Sequence, residues 1–559
     1  MTEHERFKPT PITTPSGKTV LDFGQNIAGY LEFSVSAHVR QRIFLRFGEM
    51  LDDGGEFTQK NIQCSNDRIT TPLQQVDYTC REGINEYKTR FAVFGFRYVL
   101  IETELSFNPE DFTAIAVYSD LSQTGFFASS NELLNRFFAA TVWSAKGNHL
   151  DIPTDCPTRE RHGWTGDAQV FFNTSAYLFD FAAFARKYLN DVYDWQKRDG
   201  KLPQVAPHGG MDTFFYKMDG SVGWSDVGIL MPYRFWKIYG NRSILEQSYD
   251  RMKRYALFMI SRCGKRGGKA TGVKGEAKKY LVNCGHCYDE WAEPADVYTF
   301  NRTHFSVPHP EVSTAYTAWM MALMIEIAGE LGKAEDIPLF REYCDGCARA
   351  YQELVNQSAY SLDTDRQARL VRPIYMKLLD EEKTAFAKKR LLCALEHYGW
   401  RLGTGFLSTP LILDVLADID IEAAYRLLEN EEIPGWLSMP KAGATTIWEG
   451  WEGPKSPNGI CSLNHYSKGA VCEWLFKSMC GIRVDGENHF TIIPQPGGHF
   501  THAEASYNSV YGEVKSKWEK EDESTVYSIT VPANCTAEII LPGGTRQSVD
   551  AGTYTFTEA

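Results

Sequence analysis

The sequence predicts a multidomain α+β protein in which a helical domain stands between an N-terminal and a C-terminal β-sandwich. Three observations carry that prediction. The chain has 559 residues, well past the ~250–300 residues at which single cores stop growing. Its first and last parts alternate apolar and polar residues with a period of two, as half-buried strands do. Its long middle part repeats apolar residues at a period near 3.6, as amphipathic helices do.

Residues 1–122 contain TVLDFG, GYLEFSVSA, RIFLRFGEM and FRYVLIETEL, separated by Gly, Asp and Asn clusters, and are read as the N-terminal β-sandwich. Residues 123–483 change texture, with segments such as NELLNRFFAATVWSAKGNHL, DFAAFARKYLNDVYDWQKRD and VSTAYTAWMMALMIEIAGELGK. Helix-plus-loop units of about 30 residues give roughly a dozen helices over this stretch, and a closed double ring of helices is the natural arrangement. Residues 484–559 return to alternation in VYGEVKSKWEKEDESTVYSITVPANCTAEIILPGG, with Gly-Gly and Pro-Ala-Asn turns, and are read as the C-terminal β-sandwich. No internal repeat or low-complexity linker separates the three parts.

Charge and composition narrow the function. With 58 Lys+Arg against 71 Asp+Glu, the net charge is −13, which repels phosphate backbones and anionic lipid headgroups, so neither nucleic acid nor membrane is an expected partner. Aromatics are 13% of the chain, with 13 Trp and 28 Tyr, and flat rings with polar edges suit the C–H faces of sugars. The start, MTEHERFKPTPITTPSG, has no apolar run behind a basic segment, and no later stretch approaches ~18 uncharged apolar residues. A soluble, cytoplasmic protein is the expectation.

The 13 cysteines are odd in number and scattered, which argues for reduced thiols rather than a disulfide framework. Cys284-Gly-His-Cys287 and Cys344-Asp-Gly-Cys347 are two CxxC pairs, a pattern that can hold zinc. Compact zinc ribbons separate such pairs by about 15–20 residues, far less than here. The second pair also lies in the helix-like FREYCDGCARAYQELV. Free thiols are the better reading, and no metal and no cofactor are expected.

Chemistry concentrates where polar and aromatic groups interrupt the helical pattern. The segment Asp151-Ile-Pro-Thr-Asp-Cys-Pro-Thr-Arg-Glu-Arg-His-Gly-Trp-Thr-Gly-Asp167 packs three Asp, one Glu and two prolines into a loop before a helix. Pro157 and the Gly163/Gly166 pair prevent a regular helix, so Asp155, Glu160 and Asp167 can converge on one cavity. A capped, salt-bridged surface loop is the bland alternative, and the flanking Trp164 weakens it. A second cluster, Gly443-Ala-Thr-Thr-Ile-Trp-Glu-Gly-Trp-Glu452, sets Trp448 and Trp451 around Glu449 and is followed by Asn464-His465-Tyr466. Two carboxylates on opposite sides of a pocket are the minimum equipment for glycoside hydrolysis.

These residues resemble family 78 of the glycoside hydrolases, the bacterial α-L-rhamnosidases. The resemblance rests on Asp22-Phe-Gly-Gln-Asn-Ile-Ala-Gly29, Phe94-Gly-Phe-Arg-Tyr98, the run from Pro153 to Gln169, Gly443-Ala-Thr-Thr-Ile-Trp-Glu449 and Ser462-Leu-Asn-His-Tyr466, matched in order and approximate spacing. It implies an (α/α)6 barrel flanked by β-domains. It further implies that Glu160 is the proton donor and Glu449 the residue that activates water. Asp155, Arg159, Trp164, Asp167 and His465 match positions that hold the rhamnose hydroxyls or wall the pocket, and Trp224 and Trp291 resemble the remaining pocket aromatics. The chain departs from the family pattern at Gly450, where an arginine is usual, and at Thr158 and His162, where glutamine and leucine are usual.

The function so implied is an inverting hydrolase that removes terminal α-L-rhamnose from small rhamnosides or oligosaccharides. Its carboxyl groups would stand about 6.5–9.5 Å apart so that a water fits below the anomeric carbon. A carbohydrate is the expected partner, and a homodimer is compatible with the sequence. The competing readings are a glycosidase or phosphorolytic enzyme for another sugar on the same barrel, a non-catalytic rhamnose-binding protein, and a zinc-stabilised scaffold.

Overall fold

The computed structural model describes residues 1–62, 74–209, 217–298, 307–456, 462–486 and 488–559. These residues form strands up to Ser129, helices between Glu132 and Met479, and strands again from Ile482 to Glu558, the α+β order that the periodicity predicts. Contacts gather the chain into two compact units. One comprises Met1–Leu121, Arg136–Gly163 and Met439–Ser467, the other Ser122–Asn135, Trp164–Ser438 and Lys468–Ala559.

The first unit is built on an eight-stranded sheet around the long strand Thr19–Ala37, which pairs antiparallel with Phe112–Tyr118 and Phe94–Thr103. Its period-two alternation turns Leu21, Phe23, Leu31, Phe33 and Val35 into one core with Phe47, Phe96, Val99 and Phe112. Several motif residues are explained by this packing. A Cβ at Gly29 would lie 1.9 Å from the Ile115 carbonyl oxygen, so only glycine fits at this point of the pairing with the strand Phe112–Tyr118. The register shifts between Asp22 and Ile27, and there Asp22 accepts hydrogen bonds from Arg97 Nε at 2.8 Å and Nη2 at 2.9 Å. That two-pronged pair joins the DFG and FGFRY motifs side by side.

The second unit holds most of the helices and the sheets after them. Gly125–Ser129 pairs with His502–Ser509 in a five-stranded sheet. A four-stranded sheet contains the parallel pair His489–Ile492 and Thr536–Ile540. The helix Pro310–Glu330 is long and apolar enough by composition to cross a membrane, and 72% of its apolar window is buried inside the protein. A helix apolar all round is what a surrounded core position requires.

The second CxxC pair lies within the helix Ile337–Val355. Cys347 Sγ approaches Cys263 Sγ at 3.9 Å and donates to the Tyr280 carbonyl at 3.2 Å, while Cys284 Sγ donates to the Arg262 carbonyl at 3.5 Å. Among the described residues the cysteines are free thiols, and no group of three or more His, Cys, Asp or Glu is arranged to hold a metal. Cys64 and Cys461 lie outside the described residues.

Candidate active site

In the first unit the loop carrying Glu160 closes on itself. Asp155 N donates to the His162 carbonyl at 3.0 Å, and His162 N returns a bond to Asp155 Oδ1 at 2.9 Å. Cys156 Sγ donates to Asp155 Oδ2 at 2.9 Å, and Glu160 N donates to Cys156 Sγ at 3.5 Å. The buried Asp155 therefore ties both ends of the turn that presents Arg159 and Glu160. Arg161 takes a left-handed φ of 57° directly after Glu160, a conformation costing about 1–3 kcal/mol that persists only where its surroundings fix it. Its guanidinium does so by donating to the Thr158 carbonyl at 3.0 Å. The loop sits on the strand Phe94–Thr103 at Gly95, where a Cβ would meet Thr158 Cγ2 at 2.4 Å and Pro157 Cγ at 2.9 Å.

Glu449 is held by hydrogen bonds between two irregular segments of the same unit. Its amide donates to the Ser462 carbonyl at 3.0 Å, Ser462 N donates to Glu449 Oε2 at 3.3 Å, and His465 N donates to the Ile447 carbonyl at 2.8 Å. The large sheet fixes this pair from below. Gln25 Nε2 donates to the Thr445 carbonyl at 2.9 Å, Asn26 N to Thr445 Oγ1 at 3.0 Å, and Asn26 Nδ2 to Thr446 Oγ1 at 3.2 Å. The Gln-Asn of the first motif thus positions Glu449. His465 is buried at 3% exposure, and Trp451 is completely buried, so Trp451 belongs to the core rather than to an open wall.

One nitrogen joins the two carboxylates. Arg159 Nη2 donates to Glu160 Oε1 at 2.8 Å and to Glu449 Oε2 at 3.0 Å. The surroundings are unequal, with side-chain exposures of 28% for Glu160, 10% for Arg159 and 2% for Glu449. Burial pulls the Arg159 guanidinium down, but the charges of Glu449 and then Glu160 outweigh it and hold the cation well above the usual arginine range. With Gly450 following Glu449, the guanidinium against Glu449 comes from Arg159.

The remaining predicted residues lie in the second unit. Trp164 precedes the helix Thr165–Leu178, and Asp167 is buried in that helix's first turn, where the helix dipole favours a carboxylate. Trp224 is buried, and its indole lies on Gly166, where a Cβ would meet Nε1 at 2.3 Å. Beneath it, Asp226 accepts from Gly223 N at 2.6 Å and Tyr255 Oη at 2.9 Å, and burial pushes its carboxyl up to about 6.

Tyr288, which the sequence reading passed over, is the hub of these aromatics. Its ring centroid is 4.6 Å from Trp224, 5.8 Å from Trp164 and 6.1 Å from Trp291. Its place beside Asp289-Glu290-Trp291 was the available signal. The structure thus places Asp155, Arg159, Glu160, Glu449 and His465 in the first unit, and Trp164, Asp167, Trp224 and Trp291 in the second.

Comparison with known proteins fits this assembly. Residues 122–479 match the bacterial alpha-L-rhamnosidase 6 hairpin glycosidase domain, 12–118 the family's concanavalin-like domain and 483–556 its C-terminal domain. An alpha-L-rhamnosidase of Formosa agariphila is 33% identical over 564 residues, covering 98% of this chain and 57% of that protein. The Streptomyces avermitilis alpha-L-rhamnosidase, whose crystal structure is complexed with L-rhamnose, superposes with a TM-score of 0.86 at 29% identity, covering 100% of this chain and 53% of that one. The Dictyoglumus thermophilum alpha-L-rhamnosidase superposes with a TM-score of 0.87 at 28% identity, covering 99% and 63%. The chain therefore spans a little over half the length of the relatives it matches. Its helical part and its flanking β-domains match the models of one family, and the chain belongs to the bacterial α-L-rhamnosidases.

Proposed function

We propose that this chain hydrolyses terminal α-L-rhamnosides with inversion, Glu160 acting as general acid and Glu449 as general base. The observation that carries the reading is the Arg159 bridge, which sets two carboxylates on one nitrogen at 2.8 and 3.0 Å. The more open Glu160 suits a group that must hand its proton to a departing aglycone. The nearly inaccessible Glu449 suits a base that works on a single water. Within the first unit, Asp155 and His465 would take sugar hydroxyls with Arg159; in the second unit, Asp167 is the residue proposed to take one. Trp164, Trp224 and Trp291, gathered around Tyr288, would supply the apolar wall that the rhamnose methyl needs. The relatives named alpha-L-rhamnosidase support the sugar, and small rhamnosides or oligosaccharides are the proposed substrates.

Inversion needs room for a water, with the carboxyl groups about 6.5–9.5 Å apart. The guanidinium now ties their nearest oxygens together, so in this reading bound sugar draws Arg159 away and water enters. The competing reading is direct attack by Glu449 with retention, which needs carboxyl groups only about 5–5.5 Å apart. Turnover of p-nitrophenyl α-L-rhamnopyranoside by the wild type, Glu160→Gln and Glu449→Gln, with and without added phosphate, tests the roles. Hydrolysis independent of phosphate and severe loss in both variants is the expected result; a well-folded protein inactive on a panel of rhamnosides points to another sugar or to binding alone.

A further inference from the structure

Between the strand Arg42–Gly48 and the loop that carries Glu449, the first unit buries one more acid. Glu49 is 4% exposed. Its Oε1 accepts from Asn26 Nδ2 at 3.1 Å, and its Oε2 accepts from Asn61 Nδ2 at 2.8 Å and from the Leu463 amide at 3.3 Å. All three partners donate, the arrangement that suits a carboxylate. Burial dominates and raises the carboxyl above the ordinary glutamate range, although these donors and the Arg159 guanidinium act against it.

The adjacent peptide groups make the connection. Ser462 N donates to Glu449 Oε2 and the next amide, Leu463 N, donates to Glu49 Oε2, each at 3.3 Å. Two successive amides therefore face two different carboxylates. Asn26 closes the circuit, since its Nδ2 also donates to Thr446 Oγ1, and that hydroxyl donates to the Leu463 carbonyl at 2.5 Å. An apolar side chain there would leave the Asn26, Asn61 and Leu463 donors without this acceptor, so Glu49 is what holds these three groups to one point beside Glu449.

We infer that Glu49 is a positioning residue for Glu449, fixing it through the Ser462–Leu463 amides and sharing the field of Arg159. The inference rests on the reading of Glu449 as the base. The charged groups facing this centre are Arg159 and, through it, Glu449 and Glu160. A neutral side chain at Glu49 would leave Arg159 to stabilise the Glu449 carboxylate more strongly.

The test is the kinetic pH profile of Glu49→Gln and Glu49→Asp on p-nitrophenyl α-L-rhamnopyranoside, beside Glu449→Gln. Glu49→Gln should lower kcat by up to about 100-fold at nearly unchanged KM and move the acidic limb to lower pH. Glu49→Asp, which keeps the charge but not the reach, should lose kcat while its limb stays in place. Activity that falls only with the folded fraction, on an unmoved limb in Glu49→Gln, overturns the inference. An active Glu449→Gln overturns the reading beneath it and is told apart by that variant alone. Should Glu49→Gln not fold, Asn61→Ala removes one of the three donors and must lower kcat at constant KM; a wild-type kcat there overturns the inference equally.

Discussion

The indole of Trp224 rests on Gly166, with Nε1 only 2.3 Å from where a Cβ would stand. Gly166→Ala must therefore push the ring or the first turn of the helix Thr165–Leu178, and overpacking of this kind costs about 1–3 kcal/mol. Urea unfolding is expected to show that loss, and KM for rhamnosides should rise with it. Unchanged stability and unchanged KM would remove Trp224 from the account.

Gly95 makes the corresponding contact in the first unit, against Thr158 and Pro157. Gly95→Ala presses on the loop two residues before Arg159. It is expected to lower kcat by up to about 100-fold, since small displacements of reacting groups are costly, with a smaller effect on melting temperature. A variant that unfolds more easily but turns over normally would show that the loop tolerates the shift.

Removing Arg159 leaves Glu449 buried without its guanidinium. Arg159→Ala is expected to cost about 3–5 kcal/mol of stability, as breaking a buried pair does, together with most activity. Because a single nitrogen makes both bonds, Arg159→Lys should restore part of each. Differential unfolding and turnover measured on both variants check this, and no advantage of Lys over Ala contradicts it.

Burial depresses His149 in the first unit from the ordinary 6.5 to about 3, and it depresses His286 in the second to about 4. The unfolded chain then binds protons that the folded chain refuses. The stability each neutral ring contributes is complete above pH 6.5 and is lost as pH falls toward the folded value. For one group the slope reaches about 1.4 kcal/mol per pH unit. His149→Gln should flatten the difference in stability between pH 7 and pH 5; an unchanged difference would contradict the assignment.

Much of this was legible in the sequence, for physical reasons. Period two is imposed by which face is buried, so the strand Thr19–Ala37 announces itself, whereas the helix Pro310–Glu330, apolar all round, is legible from its length and composition rather than from a 3.6 period. The carboxylate loop could be read because Pro157, Gly163 and Trp164 break a helix where charges gather. What escaped depends on distant pairings. That Met439–Ser467 packs with the first sheet, that Gly125–Ser129 joins the strand His502–Ser509, and that Glu49 meets Leu463 are long-range facts with no local pattern. Tyr288 carries no local signal of its place against Trp164 and Trp224, since those contacts form only through pairings distant in the chain.

The most direct test of the account is the anomer first formed from p-nitrophenyl α-L-rhamnopyranoside, followed by proton NMR before mutarotation. Water activated by Glu449 predicts β-rhamnose. An initial α-anomer would contradict the account and make Glu449 a nucleophile.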